Sequence, residues 1–93
     1  MPDSIRTISD AARGDVLLRL RRIEGQVRGV QRMVEEGRDC REIVHQIAAM
    51  KAALNGITAM VLECYANNCL DDAELPRDAT VAELIDMMIK ASR

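Results

Sequence analysis

Two long runs of this sequence place an apolar residue every three or four positions without a break. Val16, Leu20, Ile23, Val27, Val30 and Val34 form the first run. Cys40, Ile43, Ile47, Met50, Leu54, Ile57, Val61 and Cys64 form the second. A mean step near ~3.5 is the seam of a packed helix, and an alternating strand cannot reproduce it. Composition agrees: 48% of the residues are hydrophobic but only 1% are aromatic, so the apolar mass is Ala, Val, Ile, Leu and Met. Five Gly and two Pro are too few for a loop-rich β fold. An all-α subunit is therefore expected, a single domain over residues 1–93. A chain this short cannot bury both seams by itself, so an oligomer built on helix packing follows.

Local signals set the element boundaries. Residues 1–9 read as a flexible arm, 10–36 as helix 1, 39–68 as helix 2 and 79–91 as helix 3. Gly37 fits a helix C-terminal stop, and Asp39 with Glu42 three positions on reads as a capping box. Asn67-Asn68 closes helix 2 and opens a linker towards Pro76. Thr80 with Glu83 reads as a second capping box, followed by Val81, Leu84, Ile85, Met88 and Ile89. No run approaches ~18 uninterrupted apolar residues, and the N-terminus has no basic region followed by an apolar one. A cytoplasmic protein with no membrane partner is expected.

The net charge of −2 hides a gradient. Residues 1–32 hold seven Arg against four acids, residues 33–62 three bases against four, and residues 63–93 three bases against seven. The overall negative charge argues against indiscriminate nucleic-acid binding. The basic first third would still be multiplied by oligomerisation into a localised positive surface. A solvated helix face is the plainer reading of charge alone.

Three cysteines in a cytoplasmic chain point to thiol chemistry rather than structural disulfides. At ~100° per residue, Cys40, Tyr65 and Cys69 fall on one face of helix 2, with Cys64 roughly 120° away. At ~1.5 Å per residue, Cys40 and Cys69 stand about 43 Å apart along the axis and cannot meet within one chain. An antiparallel pair of helices brings Cys40 of one subunit to Cys69 of the other, twice, by symmetry. Cys64 continues the seam and reads as a small core hydrophobe. His45 lies off the thiol face and reads as a surface histidine. The six Met residues read as core filler. With no base near Cys40, a thiol sulfur-transfer enzyme is disfavoured, as is an inert structural oligomer.

The stretch Arg19-Leu-Arg-Arg-Ile-Glu-Gly-Gln-Val-Arg-Gly-Val, then Met33-Val-Glu-Glu-Gly-Arg-Asp-Cys40 and Gln46-Ile-Ala-Ala, closely resembles the CsoR/RcnR family of bacterial transcriptional repressors. The resemblance runs from about residue 13 to residue 90. It implies a non-enzymatic, three-helix subunit forming an antiparallel dimer and a disc-shaped homotetramer. Such a tetramer binds operator DNA without a helix-turn-helix and releases it when an inducer engages thiols shared between subunits. Arg19, Arg22, Arg28 and Lys51 are the candidate phosphate contacts.

Copper sensors of this family use a Cys, a His twenty-five residues later and a Cys four beyond. Carried onto this chain, those positions are Cys40, Tyr65 and Cys69, with Glu83 at a supporting carboxylate position. A phenol is a poor ligand for soft Cu(I), although two thiolates could still hold the ion linearly. Persulfide sensors of the family (CstR-type) keep both cysteines and lack the histidine, so the resemblance is greatest there. In that reading no cofactor is required, Cys40 accepts sulfane sulfur from a persulfide, and Cys69 of the partner subunit resolves it. Cu(I) is the alternative inducer. A formaldehyde sensor using Pro2 and Cys40 is a third.

Overall fold

A computed structural model describes residues 7–70 and 76–92, with the side chains of residues 69 and 70 outside the description. The six N-terminal residues of the expected arm, with Pro2 among them, and residues 71–75 of the expected linker lie outside it. Three helices account for the described chain: α1 over Asp10–Glu35, α2 over Cys40–Leu70 and α3 over Arg77–Ser92, and no strand occurs among the described residues. The subunit is all-α. Two compact units share these helices: Gly14–Ile57 forms one, and the flanking chain up to Arg13 and from Thr58 forms the other.

Capping chemistry sets each end. Ser9 is the N-cap of α1, its Oγ accepting the Ala12 N–H at 3.3 Å and its carbonyl accepting Arg13 N–H at 3.0 Å. At the other end Gly37 takes φ = 70°, Gly37 N–H donates to Val34 O (3.2 Å) and Arg38 N–H to Met33 O (2.9 Å). That pair of bonds is a Schellman closure, which needs the left-handed residue that glycine supplies without steric cost. It stops α1 at Glu35, one residue before the position that the spacing suggests.

The later boundaries depart further. Asp39 Oδ1 accepts Arg41 N–H at 2.8 Å, but the Glu42 carboxylate turns to Arg38 Nη2 at 2.6 Å. The Asn67-Asn68 pair does not end α2, which continues to Leu70. Thr80 does not cap α3 either. It sits inside the first turns, buried, with both its N–H and its Oγ1 donating to Pro76 O at 3.0 Å. Pro76 opens the helix because its fixed φ suits a helix start and it has no N–H to leave unpaired.

Burial divides the seams by register. Val16 and Ile23 are 4% and 8% exposed and Val30 is half-buried, whereas Leu20, Val27 and Val34, the alternate positions of the same seam, are exposed. On α2, Ile43, Met50, Ile57 and Cys64 are covered or half-covered, while Cys40, Ile47 and Leu54 are exposed. One heptad position thus faces the chain's own core, and the other carries apolar surface outward except at Val61, which is half-buried. Among the described residues no large side chain is fully buried. The segment Cys40–Asn68 is, by length and composition, long and apolar enough to cross a membrane, with a window hydropathy of 1.3. Counting only uninterrupted apolar runs misses this, since isolated charges such as Lys51 and Glu63 break the run without lowering the mean far.

Candidate functional site

Tyr65 and Glu83 are brought together. The buried Tyr65 phenol donates to Glu83 Oε2 at 2.6 Å, tying α2 to α3. Donation to an ionised carboxylate gives the short, charge-assisted class of hydrogen bond. Beside the ring is a small cavity of about 50 Å³ lined by Thr7, Ile8, Val61, Cys64, Tyr65 and Met87.

The two thiols expected to pair between subunits stand differently. Cys40 is the first residue of α2, exposed and free. Cys69 lies in the last turn of the same helix, with its side chain outside the description. Cys40 and Tyr65 fall in separate compact units. His45 is exposed, and among the described residues no three His, Cys, Asp or Glu side chains cluster as a metal site.

Cys64 carries more than its seam position predicts. Its Sγ accepts the Ser9 N–H at 3.3 Å and donates to Ser9 Oγ at 3.5 Å, with Asn68 Nδ2 at 3.9 Å. Asn68 also donates to Thr7 O at 3.4 Å, so both side chains hold residues 7–9 against α2. The thiol is held below the ordinary thiol range, first by the Ser9 hydroxyl and then by its N–H. Burial opposes this, Asn68 assists it, and the charge of Glu63 opposes it. The signal was present in part: Ser9 reads as a cap, and Asn68 follows Cys64 by one helical turn. Nothing in the spacing joins Ser9 to Cys64 across 55 residues.

The four basic candidates separate by partner. Arg28 Nη2 lies 3.6 Å from Glu24 and Arg19 Nε 3.2 Å from Asp15. These are intrahelical pairs with exposed side chains, worth only ~0.3–0.5 kcal/mol each, so a phosphate can displace them. Arg22 and Lys51 make no ion pair among the described residues. Arg19 and Arg22 line one cleft together with Ile23, Gln26 and Ala53.

A family model described as a metal-sensitive transcriptional repressor matches residues 12–90. The chain belongs to this family, the CsoR/RcnR repressors. It is 39% identical over 87 residues to the copper-sensing transcriptional repressor CsoR of Bacillus subtilis, covering 91% of this chain and 86% of that one. It is 42% identical over 55 residues to the copper-sensing repressor RicR of Mycobacterium tuberculosis, covering 59% of this chain and 57% of that one. In structure it resembles a variant of the formaldehyde-responsive regulator FrmR from Salmonella enterica serovar Typhimurium. The TM-score is 0.75 at 31% identity, covering 89% of this chain and 97% of that one. The matched region contains Arg19, Arg22, Arg28, Cys40, Lys51, Tyr65, Cys69 and Glu83. As a CsoR/RcnR member the chain is a transcriptional repressor, and long apolar α2 is a helix of that fold.

The donor set fits a copper centre poorly. Tyr65, at the position where the copper-sensor pattern has an imidazole, offers a hard oxygen already committed to Glu83. A three-coordinate Cu(I) site does not follow from these residues.

Proposed function

We propose that this repressor acts in the cytoplasm as a homotetramer built on antiparallel helix pairing and senses reactive sulfur species. Cys40 and Cys69 of the partner subunit form the sensing pair. The observation that carries the reading is the Tyr65–Glu83 hydrogen bond, which replaces a metal-binding imidazole with an occupied phenol. The exposed half of each heptad seam supplies the apolar surface for assembly.

The chemistry needs only the inducer. The Cys40 thiolate attacks the outer sulfur of an organic persulfide RSSH, giving Cys40–SSH and releasing RS⁻. The Cys69 thiolate of the partner subunit then attacks the inner sulfur, forming the Cys40–Cys69 disulfide and expelling HS⁻. The crosslink must favour a tetramer conformation with low operator affinity, since only a difference in affinity between states shifts the equilibrium. Arg19, Arg22, Arg28 and Lys51 bind operator phosphates. Log affinity then falls against log salt by ~0.9 for each phosphate neutralised.

The copper-sensing relatives favour a second reading, in which the same two thiolates hold Cu(I) linearly. The formaldehyde-responsive neighbour favours a third, using Pro2 and Cys40. One experiment separates them: the reduced protein on an operator duplex is challenged in parallel with an organic persulfide, Cu(I) and formaldehyde. Release by persulfide alone is expected. Release on one-to-one Cu(I) binding, with persulfide inert, would overturn the sulfur reading. The absence of salt-sensitive binding to operator DNA would overturn the DNA interface.

A further inference from the structure

The Gly14–Ile57 unit contains a cleft of about 260 Å³ lined by Arg19, Arg22, Ile23 and Gln26 of α1 and by Ala53 of α2. Its composition follows from helix geometry. Positions 19, 22, 23 and 26 are separated by three or four residues and share one face of α1. Ile23, 8% exposed, forms an apolar base, and two guanidiniums and a carboxamide stand around it. Opposite, α2 is stripped of bulk: Ala53 is followed three residues later by Gly56, where a Cβ would stand 3.9 Å from Arg19 Nη1. Small residues on that turn let the Arg19 guanidinium lie close over the backbone of α2.

The charge of this cleft is compensated in part, at Arg19 by Asp15 from outside its lining, and not at Arg22. No carboxylate lines it. Asp15 holds Arg19 through Nε, and Arg19 Nη1 is the atom turned towards Gly56. The Arg22 and Gln26 side chains have no hydrogen-bond or ion-pair partner among the described residues. Planar guanidinium forks match the oxygens of a tetrahedral oxyanion better than a point charge does. An apolar base beneath them lowers the competing hydration.

We propose that this cleft is a tetrahedral-oxyanion site, with Arg22 and Arg19 gripping the oxyanion and Gln26 donating a further hydrogen bond. The oxyanion has two sources: a backbone phosphate of DNA, which rests on the repressor reading above, or free inorganic oxyanion, which does not. For DNA, a phosphate enters between α1 and α2 at Arg22. For the free ion, the repressor gains a competitive input separate from its thiols.

The test uses the full-length protein and inorganic phosphate, titrated by calorimetry in chloride at constant ionic strength. Wild type should bind phosphate saturably, one per protomer. R22Q should weaken binding at least tenfold and R22K by less, because charge remains while the fork is lost. R21Q removes the same charge from the same turn on another face and should bind as wild type does. Far-UV circular dichroism verifies that each variant folds. Phosphate binding that is not saturable, or that R22Q leaves intact, overturns the site. For the DNA arm, R22Q should reduce the salt slope of operator binding while R21Q does not, and phosphate should displace operator from wild type beyond the effect of ionic strength. An R22Q slope equal to wild type overturns the phosphate entry point and leaves the repressor reading standing. Saturable phosphate binding by a protein without operator affinity supports the free-ion site and overturns the operator-phosphate roles proposed for Arg19, Arg22, Arg28 and Lys51 instead.

Discussion

Removing the Tyr65–Glu83 bond should cost a predictable amount, and the two partners should not cost the same. Tyr65→Phe deletes the donor but leaves the ring packed. Glu83 is exposed, so its carboxylate regains water, and the loss lies at the low end for a charge-assisted bond, about 1.5 kcal/mol. Glu83→Ala instead takes the acceptor from a phenol on a residue only 7% exposed, which costs about 1–3 kcal/mol. The double variant should be little worse than Glu83→Ala, giving a coupling of about 1 kcal/mol in a double-mutant cycle. Urea unfolding of the four proteins at one protomer concentration measures it, since oligomer stability depends on concentration. A coupling below ~0.3 kcal/mol would mean that additivity holds and that the two side chains do not interact.

Tyr65→His should install the missing imidazole and raise Cu(I) affinity and Cu(I)-driven operator release relative to wild type. An unchanged Cu(I) response would refute the reading of Tyr65 as the element that disfavours metal. Ser9→Ala removes the α1 cap and should destabilise the protein by about 1 kcal/mol. The same change removes the first cause of the lowered Cys64 titration, so the onset of Cys64 alkylation should move to higher pH, as mass spectrometry of the modified peptide would show. In wild type the folded thiol binds its proton more weakly than the unfolded one. Cys64 therefore contributes stability at pH above the unfolded value, and that contribution is lost as pH falls through the folded value. Gly37→Ala forces a β-carbon into φ = 70° and should lower stability by roughly 1–2 kcal/mol, with Gly37→Asn costing less.

Much of the fold was legible because helix periodicity is a property of the chain alone. The seams through Val16–Val34 and Cys40–Cys64 mark two long helices, and Gly37 marks the turn between them. The alternation of buried and exposed heptad positions was not legible, because a 3.5-residue period does not say which half faces the subunit's own core. Local capping rules failed where other partners took the side chains, two of them four residues away and one on another helix. Thr80 bonds back to Pro76, Glu83 receives the phenol, and Glu42 meets Arg38. At the candidate site, the Tyr65–Glu83 bond is seen in the structure, while the shared face of Cys40, Tyr65 and Cys69 remains an expectation from helical counting. The Ser9–Cys64–Asn68 linkage could not be counted in this way, since it joins segments far apart in sequence.

The central claim is that sulfur crosslinks Cys40 to Cys69 across a subunit boundary and thereby releases DNA. Tetramers mixed from ¹⁴N- and ¹⁵N-labelled subunits, treated with an organic persulfide and digested without reductant, test it directly. The account predicts Cys40–Cys69 peptides pairing one light with one heavy chain, appearing in step with operator release and absent in Cys69→Ala. Release without such mixed pairs, or a crosslink through Cys64, would contradict it.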